Sequence, residues 1–193
     1  MSTPGIYRLK RAEPPWGDYG DILTHGMATA VDGKTLELER TGPFVPPISQ
    51  PRGFVVVTSE FLVSLRDSGL TGYEAHPVIK KKITYVDWRN WEPLGSEEMK
   101  YPAGSEPENY IERRKHSADA ANALGELWHI RFLPGIRAAR EGGYHLLGST
   151  WNGGDFLVVD GERPVYKYVS ERARLWLIED AGEWMSFQEE RVA

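Results

Sequence analysis

The segment Trp151-Asn152-Gly153-Gly154-Asp155-Phe156 holds the residues whose types and spacing come nearest to doing chemistry. Its two glycines allow a tight backbone. Trp151 could carry a sugar or base ring on its face, with Asp155 as acid or base. The competing reading is a turn, in which Asp155 bonds neighbouring amides and Trp151 packs at the seam between lobes. The turn is favoured, because the sequence sets no second catalytic group beside Asp155. The other carboxylates form no decisive pair. Asp87 and Glu92 flank Trp88 and Trp91, and Glu97, Glu98, Glu106 and Glu108 make an acidic loop. Next to exposed tryptophans, such a loop suits the grip on a basic protein surface.

Metal and nucleophile chemistry find little support. His25, His76, His116, His129 and His145 are scattered, and no pair has the HxxxH spacing that puts two imidazoles on one helical face. They read as structural or surface residues. There is no GxSxG elbow, no SxxK and no Walker loop. With no Cys, the chain has no disulfides, thiolate metal sites or cysteine nucleophiles. No metal, no cofactor and no catalytic residue is assigned, and an enzyme is the less favoured class.

The elements that must position these residues are short. Ile6–Lys10 reads as an entering strand, and Glu13–Asp18 as a loop rich in proline. Lys34–Arg40 alternates, with Leu36 and Leu38 on one face and Glu37 and Glu39 on the other, after an Asp32-Gly33 turn. Arg40–Pro47 is an ordered loop. Gly53–Val57 is a buried strand, Thr58 or Ser59 can cap a helix, and Gly69 is its left-handed stop. Tyr73–Val78 follows as a strand that Pro77 pushes toward an edge. Lys80-Lys81-Lys82 reads as a solvated strand edge leading into Ile83–Trp91. Glu92–Glu108 is a long polar loop, of the kind that is functional or mobile. A helix is expected over Tyr110–Leu124 and a strand over Leu127–Leu133, stopped by Pro134-Gly135. Phe156–Val159, a turn at Asp160-Gly161 and Val165–Val169 form a hairpin. Ser170 then caps a helix to Ala181-Gly182, and Trp184–Gln188 is the last strand.

Two of these segments share a plan of strand, Ser-Glu cap, helix, glycine stop and aromatic strand. The Ser-to-Gly distances are 69 − 59 = 10 and 182 − 170 = 12 residues. Duplication and chance similarity both remain open. The chain as a whole, 193 residues with 40% hydrophobic and 26% charged, is an ordinary globular mix. The expected fold is α+β: one compact domain of two related strand-helix-strand lobes, at 1–108 and 109–193, with a mixed or antiparallel sheet.

Charge bears on partners. The formal net charge of −5 does not suit nonspecific nucleic-acid binding. No apolar run reaches the ~18 residues of a membrane span, and Met1–Lys10 does not read as a secretory signal, so a cytoplasmic home is expected. Seven tryptophans divide by context. Trp128, Trp176 and Trp184 fall in expected strands or a helix and read as core. Trp16, Trp88, Trp91 and Trp151 fall in or beside loops and read as places to seek a partner.

The segment Phe54-Val55-Val56-Val57-Thr58-Ser59-Glu60-Phe61-Leu62, with Gly69-Leu70-Thr71-Gly72-Tyr73-Glu74-Ala75-His76-Pro77-Val78, resembles part of bacterial polymorphic-toxin immunity proteins. In those a short strand leads to "(V)SE", a helix and "GxTGxEFxPV". Tyr168-Val169-Ser170-Glu171-Arg172-Ala173-Arg174-Leu175-Trp176-Leu177 looks like the same motif, and Gly154-Asp155-Phe156 resembles the double-CxxCG subgroup. This chain departs from that subgroup in having no cysteine, so the subgroup's presumed metal does not carry over. The resemblance implies a cytoplasmic protein that neutralises a cognate toxin domain, encoded next to it, by occluding its active surface. Its contact candidates are Trp16, Trp88, Trp91, Glu97, Glu98, Glu106, Glu108, Trp151 and Asp155. The alternative is a small-ligand enzyme or regulatory module centred on Trp151–Phe156.

Overall fold

The computed structural model describes residues 5–14, 16–32, 34–97, 99–104, 106–161 and 166–193. Met1, Gly33, Glu98 and Val165, all named above, lie outside the described residues. In chain order, β1 is Ile6–Arg11, α1 Gly17–His25, β2 Met27–Ala30, β3 Leu36–Gly42, β4 Ile48–Ser49 and β5 Val55–Thr58. Then come α2 Ser59–Asp67, β6 Tyr73–Tyr85, α3 Asn109–Glu112, α4 Ala118–Ala123 and β7 Leu127–Ala139. The last elements are β8 His145–Leu147, β9 Phe156–Val159, β10 Tyr168–Ser170, α5 Glu171–Ala181 and β11 Met185–Glu189. Parallel and antiparallel pairs both occur, so the chain is α+β with mixed pairing. Among the described residues no helix is long and apolar enough to cross a membrane.

Contacts divide the chain into two units, each discontinuous in sequence. One takes Met1–Ala12, Val63–Ala75 and Ile130–Ala193; the other takes Glu13–Leu62 and His76–His129. The expected lobes at 1–108 and 109–193 are therefore not the units that form. The physical reason is that α2, β6 and β7 each run from one unit into the other, so no single cut separates them.

In the first unit the strand order is β11-β1-β10-β9-β7. β10 and β11 flank β1 on its two edges, both antiparallel to it, and α5 connects them. Ser170 caps α5 by accepting from the Ala173 N–H at 3.1 Å. Ile6, Ile136, Leu146, Leu157, Val159 and Tyr168 form a core. Pro134 and Gly135 do not stop β7. The register to β9 shifts between Pro134 and Ile136, a bulge that absorbs the missing proline donor. Gly72 sits at φ 92°, and a Cβ there would collide with the Phe156 carbonyl, so only glycine lets this turn lie on the start of β9.

In the second unit β2 and β3 form a hairpin, and β3 pairs parallel with β6. Asp32 builds the hairpin turn by accepting from the Lys34 and Thr35 N–H groups at 2.8 and 2.5 Å. Leu36, Leu38, Val56, Ile83, Ala120, Ala121, Leu124 and Leu127 pack into its core. The expected helix over Tyr110–Leu124 is broken into α3 and α4. The break is used: Ser117 N–H donates to Ile83 O at 2.7 Å, and Ile83 N–H donates to His116 Nδ1 at 3.1 Å.

The three lysines of β6 are not a solvated edge. Lys80 Nζ donates to the Ala121 and Gly125 carbonyls at 2.6 and 2.9 Å, and Lys82 Nζ to the Glu112 carbonyl at 2.7 Å. Strand alternation sends both to the side where α4 and α3 end, and each ammonium meets a helix C-terminus. Lys81 points to the other face. Lys80→Met is expected to destabilise the protein by about 1–2 kcal/mol, because two carbonyls lose a charged donor. Lys81→Met is expected to do less. Urea unfolding of the two variants at pH 7 tests the order.

The two Ser-Glu segments are not equivalent in position. The α2 cap is Thr58, whose Oγ1 accepts from Phe61 N–H at 3.2 Å. Ser59 instead donates to Glu126 O and accepts from Trp128 Nε1 at 3.0 Å. Gly69 is left-handed at φ 69°, whereas Gly182 is right-handed at φ −58°. The shared plan is local, and the strands on either side pair differently.

Candidate functional site

Asp155 was the first chemical candidate. It is 4% exposed. Its Oδ1 accepts from Ser170 Oγ at 2.7 Å and Arg172 Nε at 3.1 Å. Its Oδ2 accepts from Thr71 N–H at 2.9 Å, Thr71 Oγ1 at 3.3 Å and Arg172 Nη2 at 2.6 Å. Burial raises the carboxyl, but Arg172, Ser170 and Thr71 together outweigh it and hold it below the ordinary carboxylate value. An ionised carboxylate saturated in this way is a clamp, with no oxygen left to take a substrate proton. Beside it, Asn152 Oδ1 accepts from Gly154 N–H at 2.9 Å. Half-buried Trp151 donates to Gly154 O at 2.9 Å and packs on the core of its unit. The segment is a turn.

Two tryptophans of the second unit reverse their expected places. Trp88 and Trp91, taken above as exposed contacts, are 5% and 3% exposed. The short helical turn at Trp88–Asn90 rotates both indoles inward. Trp88 packs on Phe44 at 5.2 Å. Trp91 stacks on Tyr19 at 5.7 Å, meets Trp16 edge-on at 5.4 Å, and donates from Nε1 to the Tyr110 hydroxyl at 3.3 Å. Trp16 is half-buried at the margin of this nest. The tryptophans expected as core, Trp128, Trp176 and Trp184, are each only half-buried. Helix or strand membership says that a face is buried, not which residue lies deepest.

The 92–108 loop rests on this nest. Tyr101, 48% exposed, lays its ring 4.5 Å from Tyr19 and 5.6 Å from Trp91. Arg113 Nη1 donates to Ala103 O at 2.6 Å and ties the loop to the residue after α3. Leu94, at 90%, is almost fully exposed. Glu97 and Glu106 are exposed, and Glu108 is half-buried just before α3. The loop thus has a fixed aromatic underside and an outer surface of Leu94, Tyr101, Glu97 and Glu106. Leu94 and Tyr101 were missed in the sequence. The available signal was two large apolar residues inside an otherwise polar stretch.

A charged pocket of about 140 Å³ lies on the outer face of β3 and β6. Lys81 sits 3.0 Å from Glu37 and 3.6 Å from Glu39, which hold its ammonium above the ordinary value, Glu37 first. Arg52 and Glu112 complete the charged lining. Among the described residues no group of three or more histidines or carboxylates gathers to hold a metal ion. Comparison with known protein families finds no match, and neither curated proteins nor solved structures match the chain.

Proposed function

We propose that this chain is a binding protein of the toxin-immunity type, which neutralises a cognate toxin domain encoded beside it by covering that domain's active surface. The observation that carries the reading is the 92–108 loop, held on an aromatic nest while it presents Leu94, Tyr101, Glu97 and Glu106. A loop ordered before binding avoids much of the ordering cost of association. Tyr101 and Leu94 supply the apolar anchors, and the carboxylates speed encounter with a basic surface. Tyr101 and Leu94 take the role first given to Trp88 and Trp91, whose rings support the loop from beneath. The net charge of −5 favours a basic partner. The enzyme alternative at Trp151–Phe156 is weaker, because the carboxylate it needs is saturated by five donor contacts. The place of action proposed with this reading is the cytoplasm.

The test is co-expression with the product of the neighbouring gene. The two proteins are expected to co-purify, and this chain to protect cells from the other. Leu94→Asp with Tyr101→Ala is expected to weaken binding at least ~100-fold while circular dichroism stays unchanged. If the neighbouring product is harmless to cells lacking this chain, or the double variant binds as tightly as the original, the reading fails.

A further inference from the structure

β11 pairs with β1 along one edge, and among the described residues no strand pairs along the other. The register fixes which backbone groups face that open edge. Leu9 lies opposite Phe187 and Tyr7 opposite Glu189. At the two ends of the same ladder, Ala12 N–H donates to Trp184 O at 3.0 Å and Glu190 N–H donates to Ile6 O at 3.0 Å. The even-numbered residues of β11 therefore bond to β1. Alternate residues of an antiparallel strand turn their N–H and C=O to opposite edges. Phe187 and Glu189 thus direct theirs outward.

Met185-Ser186-Phe187-Gln188-Glu189 has no proline, no lysine and no break in register, and its single charge, Glu189, lies at its last position. Alongside it an open groove of about 510 Å³ runs between β11 and the last turn of α5. Ile178, Met185 and Phe187 form its apolar floor, and Glu179, Asp180 and Glu183 its rim. Leu175 and Ile178, 54% and 45% exposed, extend the apolar strip up the helix. The C-terminal end of α5, with its partial negative charge, adds to the acidic field of the rim.

We propose that this edge and groove bind an extended basic segment of another protein by strand addition. The segment's backbone pairs with Phe187 and Glu189. Its apolar side chains enter the groove, and its lysines or arginines reach Glu179, Asp180 and Glu183. A second copy of this chain is the poorer occupant, because it would bring the same acidic rim against itself. The inference stands apart from the immunity reading and uses none of the 92–108 loop.

The probe is a fluorescent nine-residue peptide with valine and lysine taking turns at its odd positions, which share one face of a strand, and threonine at its even positions, titrated against the full chain by anisotropy. It is expected to bind at least tenfold tighter than the same peptide with glutamate in place of lysine. N-methylation of its valine amides is expected to weaken it at least tenfold. Glu179→Lys with Glu183→Lys, both exposed, is expected to do the same, while Glu97→Lys with Glu106→Lys leaves it unchanged. Equal binding of the lysine and glutamate peptides, or insensitivity to N-methylation, overturns the proposal. So does a loss confined to the Glu97/Glu106 variant, which would place the basic probe on the loop. A concentration-dependent dimer of the chain alone that Glu189→Pro abolishes overturns it in favour of self-association.

Discussion

Arg40→Ala is expected to destabilise the protein by about 4 kcal/mol, the largest single effect in the second unit. Arg40 is wholly buried on β3. Its Nε donates to Thr41 O at 3.0 Å and its Nη2 to Thr24 O at 2.9 Å, while Thr41 Oγ1 donates to Leu23 O at 2.6 Å. Two consecutive strand residues thereby satisfy carbonyls of the last turn of α1, the groups a helix leaves open. Burial pulls the guanidinium down to about 9, so it remains a cation at pH 7. Its Nη1 has no partner among the described residues. Isolated burial of a charge is unfavourable, and the negative end of the α1 dipole offsets part of that cost. Alanine removes the donors and leaves a void. Methionine fills most of the volume and removes the desolvated charge, so Arg40→Met is expected to lie within about 2 kcal/mol of the original. Guanidinium unfolding of the two variants at pH 7 separates the terms. Equal losses would mean that the hydrogen bonds alone set the effect, and the void nothing.

The same region shows what a linear reading could and could not reach. The alternation of Leu36, Glu37, Leu38 and Glu39 was legible, because strand period and burial agree there. The same period puts Arg40 on the inward face, but nothing local names its partner there, since the Thr24 carbonyl that accepts from it belongs to a helix 16 residues back. That helix, α1, escaped notice because Gly17 and Gly20 lower its propensity and Gly26 ends it; tertiary contacts carry it instead. The cap of α5 was legible at Ser170, because a cap is a local bond between residues three apart, whereas Ser117, inside the single helix expected over Tyr110–Leu124, caps α4 instead. Lys80 and Lys82 were misread for the opposite reason: their partners lie 30 or more residues on. The acidic loop was found from composition. Its outward anchors were not, because a tryptophan and a leucine look alike to burial rules until the turn at Trp88–Asn90 decides which faces in.

Asp155 carries the second large effect. Asp155→Ala is expected to cost about 3 kcal/mol and Asp155→Asn about 2 kcal/mol. The carboxylate joins the Gly69–Gly72 turn to the start of α5: Thr71 is held on one oxygen, the cap residue Ser170 on the other, and Arg172 on both. Arg172 also donates to Gly69 O at 2.9 Å, so the turn is gripped twice. An amide keeps the shape but cannot accept from every one of these donors. The effect should depend on pH with a definite sign. The folded carboxyl lies below its unfolded value of about 3.9, so its contribution is present above that value and lost as pH falls through the folded one. The stability gap between the original and Asp155→Asn should therefore be full at pH 7 and narrow as the pH falls below about 4. Glu171, held at about 2 by Arg174 and then Tyr7, titrates in both proteins and cancels in the difference. Urea unfolding at pH 7, 5, 4 and 3 measures the gap. A gap that stays constant to pH 3 would mean that the folded carboxyl titrates as the unfolded one does, a gap that widens on acidification would mean that it is protonated in the fold, and in either case its five donor contacts would need another explanation. A gap that closes identifies the carboxylate as the clamp between turn and helix, committed to holding the fold and withdrawn from any substrate.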